Sequence, residues 1–558
     1  MKGTALPAGP VTAAADHAVV ETLLRCWVRE HGITVGGGEV SLEVRAGTIT
    51  VPVTVASATG WHRFGSPTLD GATVGPEGLV AVLADDLHAR HQLGPERRRD
   101  LVARTLSSRD RIVDHAAARA GASPPMPLTF LDGEQELIAG HPFHPAAKSR
   151  EDLDATELLA YSPELRGSFR LRWFAVDRGL VASGSALRRP AEALLAELGS
   201  PTAAPAGMVA VPLHPWQADA LLARPVVARL AGDGALRDLG DGDDVWFPTS
   251  SLRTVWRPDA PWMLKLSLGV RVTNSRRENR RDELRLGQHS HRIVAAGVGR
   301  ELAAAHPRFR IVTDPAWIGV DVDGGGFETG IRDNPFGPAD PVVCMAALVD
   351  ERPGCGAPLL VRLLHDLAGR ECRAADAVAA EWVRRYLREV IAPLAWLDTT
   401  WGIVLEAHHQ NTLVTLDGGG WPVGGWYRDN QGWYVAASAA PRLHALVGQW
   451  GGVDAVFDDG LVARRGAYYL GVNNLFGVVG ALSAARVADE ELLLGIVRSE
   501  LAALPRSRVV DVLLHAPHLP CKANLLTCAD GRDELDGPVE HQSVYVAIPN
   551  PLAEVAAR

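Results

Sequence analysis

The chain has 558 residues, 47% hydrophobic and 22% charged, with a formal net charge of −10. That length exceeds one hydrophobic core and predicts two to four packed subdomains. The acidic balance argues against a general nucleic-acid binder, which shows a basic face, and no apolar run approaches the ~20 residues of a membrane span. The first residues lack the unbroken apolar core of a signal peptide, so the expected compartment is the cytoplasm. Six cysteines without C-x-x-C pairing predict reduced, mostly buried thiols.

In chain order, the alternating stretch from Val40 to Val53 predicts a strand pair turned at Ala46-Gly47. Residues 1 to about 125 carry almost no catalytic-looking side chains and are expected to form a supporting domain. Pro190 to Leu198 predicts a short helix, with proline in its first turn and Gly199 past its end. Residues 201–207, rich in Pro, Ala and Gly, form the best interior linker. A hairpin is expected over 252–268, turning at Arg257–Pro261. A long helix is expected from about Asp376 to Trp396, with Val378, Trp382, Tyr386, Val390 and Leu394 on one face. Short strands, a Gly-rich turn at 418–420 and more helix follow. Strands and helices mix without a βαβ rhythm, so the predicted class is α+β.

The chain holds four lysines against 52 arginines, and beyond Lys2 the survivors Lys148, Lys265 and Lys522 all fall inside polar motifs. Codon bias explains the scarcity but not the placement. A lysine is a compact point charge that can follow a phosphate or carboxylate as it reacts, whereas arginine is a planar fork.

The first motif is Gly140-His-Pro-Phe-His-Pro-Ala-Ala-Lys148, whose prolines forbid a regular helix and put His141 and His144 on a stiff loop. An anion-facing loop is favoured over a zinc site, for which further ligands at metal spacing are missing; histidines that merely cap a loop remain a competing reading. Pro248-Thr-Ser-Ser-Leu-Arg-Thr254 gathers three hydroxyls and a guanidinium suited to phosphate oxygens. Across the hairpin Ser251, Arg253 and Lys265 can reach one face, and Thr273-Asn-Ser-Arg-Arg277 adds donors. Farther on comes Glu406-Ala-His-His-Gln-Asn411, and then Arg428-Asp429. An asparagine and an aspartate at the ends of neighbouring strands are a common way to hold Mg²⁺ against nucleotide phosphates, as in kinases; residues that only shape turns would look the same. Lys522-Ala-Asn524 closes the set, with Asp530-Gly-Arg-Asp-Glu534 just beyond.

Taken in order, these motifs closely resemble the IucA/IucC family, synthetases that build siderophores without nonribosomal peptide synthetases. The resembling residues are His141-Pro-x-His-Pro-x-x-Lys148, His214-Pro-Trp-Gln217, Ser251-x-Arg-Thr254 with Lys265 and Arg277, Glu406-x-His-x-Gln-Asn411, Arg428-Asp429 and Lys522-Ala-Asn524. The resemblance covers roughly residues 130–555. It implies a hand-like fold with a thumb over 1–125, fingers over 126–345 carrying the phosphate hairpin, and a kinase-like palm over 346–558. It also implies a homodimer, no nucleic-acid or membrane partner, and an ATP- and Mg²⁺-dependent acid–amine ligase. Such an enzyme adenylates a carboxylic acid, citrate or a relative, and condenses it with an amine, hydroxylamine or alcohol.

Carried over residue by residue, His141, His144, Lys148, Ser251, Arg253, Thr254, Lys265, Arg277 and Gln410 would bind ATP. Glu406, Asn411 and Asp429 would hold Mg²⁺, and Thr273, His408 and Lys522 would face the acid. Lys265, Arg277 and His408 are the expected catalytic residues. One departure stands out: the family continues from the first-motif lysine as Lys-x-x-x-Gly, and here the last position is Asp152. The competing readings are a kinase-like phosphotransferase and a carboxylate- or siderophore-binding protein without turnover.

Overall fold

The computed structural model describes residues 8–122, 124, 126–429, 431–448, 455–535 and 541–555; Lys2 lies outside them. The backbone is mixed helix and sheet, and its strands pair antiparallel except for two parallel pairs among the described residues.

The predicted strand pair forms as Gly38–Val44 against Gly47–Val55, with Val44 opposite Gly47 at the turn. Val40, Leu42, Val44, Ile49 and Val51 are buried, so the alternation read in the sequence is an inward face. The amphipathic helix Ala8–Glu30 packs in the same core as the C-terminal helices, which joins the two ends of the chain.

An eight-stranded sheet holds the middle of the chain. Across it the strands run Val181–Ser185, Ala316–Val320, Thr329–Asp333, Trp262–Lys265, Thr254–Trp256, Leu236–Pro248, Phe169–Asp177 and Met208–Leu213. The predicted hairpin is therefore interior, with Thr254 opposite Lys265 and Lys265 opposite Gly330 on the other side. This region has its own core, including Trp173, Phe174, Val211, Leu264 and Ile331. Residues 201–207 do not separate domains. They join the short helical segment ending at Leu198 to Met208–Leu213, a strand of this same sheet. Composition marked a loop correctly, but the bonds flanking it belong to one unit.

The predicted long helix runs from Ala375 to Trp401 through a π-helical turn at Leu387–Ile391. All five expected face residues are buried, with Trp382 stacked on Tyr386 at 5.6 Å. The helix backs a four-stranded sheet in which Thr412–Leu416 pairs with Pro422–Tyr427 across the Gly-rich turn. Among the described residues no helix is long and apolar enough to cross a membrane. All six cysteines are free; Cys26, Cys344, Cys521 and Cys528 are buried.

Burial pulls His62, His115, His144 and His214 down to about 3, and His409 to about 4. Unfolded histidine titrates near 6.5, so below that pH the unfolded chain binds more protons than the folded one. The stability these neutral rings contribute is complete above pH 6.5 and is lost as pH falls toward 3. Each ring adds about 1.4 kcal/mol per pH unit. The unfolding temperature should thus drop steeply between pH 6.5 and 5, before most carboxylates titrate. A flat profile over that interval in differential scanning calorimetry would contradict these assignments.

Candidate active site

The reaction hairpin begins in a tight loop. The Thr249 amide donates to the Thr254 carbonyl (2.8 Å), and the Ser251 hydroxyl accepts from the Thr254 amide (3.1 Å). Leu252 takes a left-handed φ of 63°, which turns the chain sharply between Ser251 and Arg253. Arg253 is buried, and its guanidinium donates to Asn279 Oδ1 (2.7 Å) and to the Arg277 carbonyl (3.1 Å). Asn279 in turn donates to the Lys265 carbonyl at 2.7 Å. Asn279 thus links Arg253 to Lys265, and Arg253 extends the frame to the Arg277 backbone. Burial draws Arg253 down to about 10, so it stays cationic at neutral pH.

Lys265 is buried and reaches across to Asp429, with Nζ 2.8 Å from Oδ1. The expected phosphate lysine and the expected metal aspartate are therefore partners in this state. Arg332 stands 3.4 Å from the same oxygen, while its other bonds form a fork on buried Asp314 at 2.5 and 2.9 Å. Gly330 faces Lys265, and Arg332 lies two residues along that strand, so both cations project from the same sheet face. Burial pushes the Asp429 carboxyl up, but Lys265 and Arg332 outweigh it and hold the group well below the usual carboxylate range. Burial lowers Lys265, which Asp429 partly offsets.

Asp429 stands next to Asn411 because the Arg428 amide donates to the Asn411 carbonyl (3.0 Å), extending the ladder of the two strands. Asp429 leaves that strand with φ 94°. Asn411 Nδ2 donates to the Glu406 carbonyl (3.2 Å), and the Asn411 amide to His408 Nδ1 (3.3 Å). The Glu406 carboxylate accepts from the Tyr434 hydroxyl at 2.6 Å. Burial lowers His408, which leaves its imidazole neutral at pH 7. Gln410 Nε2 donates to the Ser250 carbonyl (3.1 Å), tying this strand end to the hydroxyl loop.

Arg428 is held by a fully buried partner, Glu134, through bonds of 2.7 and 3.1 Å, and it also donates to Ser250 Oγ at 3.1 Å. On the opposite flank Arg277 donates to Thr273 Oγ1 at 2.6 Å, with Thr273 at a left-handed φ of 55°. Lys522 meets Glu534, Nζ to Oε1, at 3.1 Å.

The first motif divides. His141 Nε2 lies 3.0 Å from Asn473 Nδ2, and His144 Nδ1 accepts from the Ala146 amide at 3.1 Å. Lys148, expected to bind a phosphate, is buried in an ion pair with Glu164 at 2.5 Å, with Arg150 3.2 Å from the same oxygen. Its charge is spent inside the fold in this state. Asp152, the departure from glycine, keeps a left-handed backbone at φ 69°. Aspartate is among the few non-glycine residues that tolerate this conformation, so the turn survives the substitution.

Sequence reading missed Asn279, Arg332, Asp314 and Glu134, and it quoted Glu534 without giving it a role. None sits in a motif of unusual composition; Arg332 and Glu134 meet partners 97 and 294 residues away, while Asn279 and Asp314 act within the hairpin and its neighbouring strands.

An interior hairpin whose buried cations meet carboxylates from distant segments marks the candidate site of an enzyme. The chain belongs to the IucA / IucC family. The profile of that family matches residues 129–350, and the "Ferric iron reductase FhuF-like transporter" profile matches residues 380–537. The chain is 38% identical over 571 residues to the rhizobactin siderophore biosynthesis protein RhbC of Rhizobium meliloti (strain 1021), covering 96% of this chain and 97% of that one. It is 36% identical to a spermidine-citrate ligase of Bacillus anthracis, over 77% and 75% of the two chains. The solved structure of ATP-bound aerobactin synthetase IucA from a hypervirulent pathotype of Klebsiella pneumoniae superimposes with a TM-score of 0.84 at 28% identity, covering 96% and 99%.

Proposed function

We propose that this chain is an ATP-dependent siderophore synthetase that adenylates citrate or a related polycarboxylic acid and couples it to an amine, hydroxylamine or alcohol. The observation that carries this reading is the meeting of Lys265 and Arg332 on Asp429, with Arg253 of the hydroxyl loop tied to the same hairpin through Asn279, a cation array suited to phosphate oxygens. The Bacillus anthracis relative is named a spermidine-citrate ligase, and the Klebsiella structure is ATP-bound, which support this reading.

In this reading Ser251, Arg253, Thr254, Lys265 and Arg277 orient the phosphates, while Thr273, His408 and Lys522 receive the acid. A substrate carboxylate oxygen attacks the α-phosphorus, pyrophosphate leaves, and the nucleophile then displaces AMP from the acyl-adenylate. The cations offset the repulsion between the two anions and hold them in line. The neutral His408 imidazole is suited to accept the proton the nucleophile loses. The Glu406, Asn411 and Asp429 oxygens are the hard donors that Mg²⁺ takes. Lys265 occupies Asp429 Oδ1 at 2.8 Å, so a metal ion at this carboxylate competes with the ammonium. Bound Mg²⁺ would neutralise phosphate charge. The hand-like division at 1–125, 126–345 and 346–558, the kinase-like palm and a homodimeric state belong to the same reading.

Incubating the purified protein with ATP, Mg²⁺, hydroxylamine and a panel of carboxylic acids should release AMP and pyrophosphate with citrate or one relative. ADP as the product would indicate phosphotransfer, and nucleotide binding without turnover of any acid would sink the ligase reading.

A further inference from the structure

Beyond the helix Asn524–Asp530 the chain returns to the reaction site and delivers a carboxylate there. The Glu534 amide donates to Ser275 Oγ at 2.9 Å, which fixes its backbone against the strand that carries Arg277. Its side chain accepts from Ser543 Oγ and from Lys522 Nζ, both 3.1 Å from Oε1. Burial pushes the Glu534 carboxyl up, but Lys522, His144 and Arg277 hold it at about 2. His144 is itself neutral, so Lys522 and Arg277 are the full cations that face Glu534. Burial works against the Lys522 ammonium, and Glu534 more than offsets it.

Resting on the reading above, in which Lys522 receives the acid, we propose that Glu534 sets the affinity for the acid. Its carboxylate stands where a substrate carboxylate binds Lys522, and the acid enters by exchange with it. Two carboxylates crowded on one half-buried ammonium repel each other, so the incoming group displaces the resident one. A rotation of the Glu534 side chain suffices, because the bond to Ser275 holds the backbone. The alternative role, a strut that aims Lys522 at the substrate, predicts the opposite sign when the charge is removed.

The test is calorimetric titration of citrate and of 2-oxoglutarate, without nucleotide, into wild type, Glu534→Gln and Ser543→Ala. Glu534→Gln should bind both acids about 2- to 5-fold tighter, the scale set by a partly exposed ion pair. The factor should be similar for the two acids, because the same resident carboxylate is displaced by each. Ser543→Ala, which loosens Glu534 without removing its charge, should tighten binding less. Weaker or unchanged binding in Glu534→Gln, a gain that grows with the charge of the acid, or no binding to any of the three proteins would each overturn the exchange. AMP release by the wild type is measured separately. Turnover with no tightening sinks the exchange alone, and tightening without turnover sinks the ligase reading alone.

Discussion

Lys265→Ala should lower acid-dependent AMP release about 10²–10³-fold, the usual cost of removing one preorganised charge from a transition state. The structure adds a consequence for stability. Lys265 neutralises Asp429 at 2.8 Å, and its loss leaves that carboxylate with Arg332 at 3.4 Å as its nearest cation. The single variant should therefore unfold at a lower temperature. Lys265→Ala combined with Asp429→Asn should regain most of that temperature and none of the activity, because the double variant removes the stranded charge without restoring the cation. Single-turnover AMP formation and thermal unfolding, measured on the same preparations, separate the two effects. Activity that returned together with stability in the double variant would show Lys265 to be a structural partner only.

Arg428→Met carries the largest expected cost to folding. Its partner Glu134 is fully buried and receives two guanidinium bonds as well as the Ser250 amide at 2.8 Å. Removing one member of a buried pair leaves an uncompensated charge, which costs about 3–5 kcal/mol. Replacing both, Glu134→Gln with Arg428→Met, should recover much of this in urea denaturation. The double variant should still bind ATP weakly, since Ser250 loses its anchor and the neighbouring Ser251 loop loses its place. A single variant as stable as the wild type would contradict the pairing.

What could be read in advance was whatever repeats locally. Alternation from Val40 to Val53, the turn at Arg257–Pro261 and the helical face from Val378 to Leu394 depend on neighbours a few residues away, and all three stand in the fold. The motif order also led to the family. The electrostatic wiring of the site could not be read, because it joins segments far apart. Arg332 and Asp429 are 97 residues apart in sequence, and Glu134 and Arg428 are 294 apart. Nothing in Ile331-Arg-Asp-Asn-Pro335 or in Asp132-Gly-Glu134 marks such a partner. Lys148 shows how a ligand role and a structural partner look alike in sequence. A scarce residue in a polar motif invited a ligand role, yet Glu164 and Arg150 enclose it. Scarcity identifies where an ammonium is wanted, not whether a substrate or a neighbouring side chain wants it.

The placement of Lys265 on an interior strand also bears on how such an enzyme can change. Slipping that strand by one residue would turn Lys265 to the far face and break ladders on both sides at once. The Lys265 side of the site is therefore held by two ladders, one hydrogen-bonded rung at a time. The loop at Glu534 is fastened instead by single side-chain bonds to Ser275 and Ser543. Those fastenings can be exchanged individually, so substitution can reshape this edge of the site while the sheet beneath it stays the same.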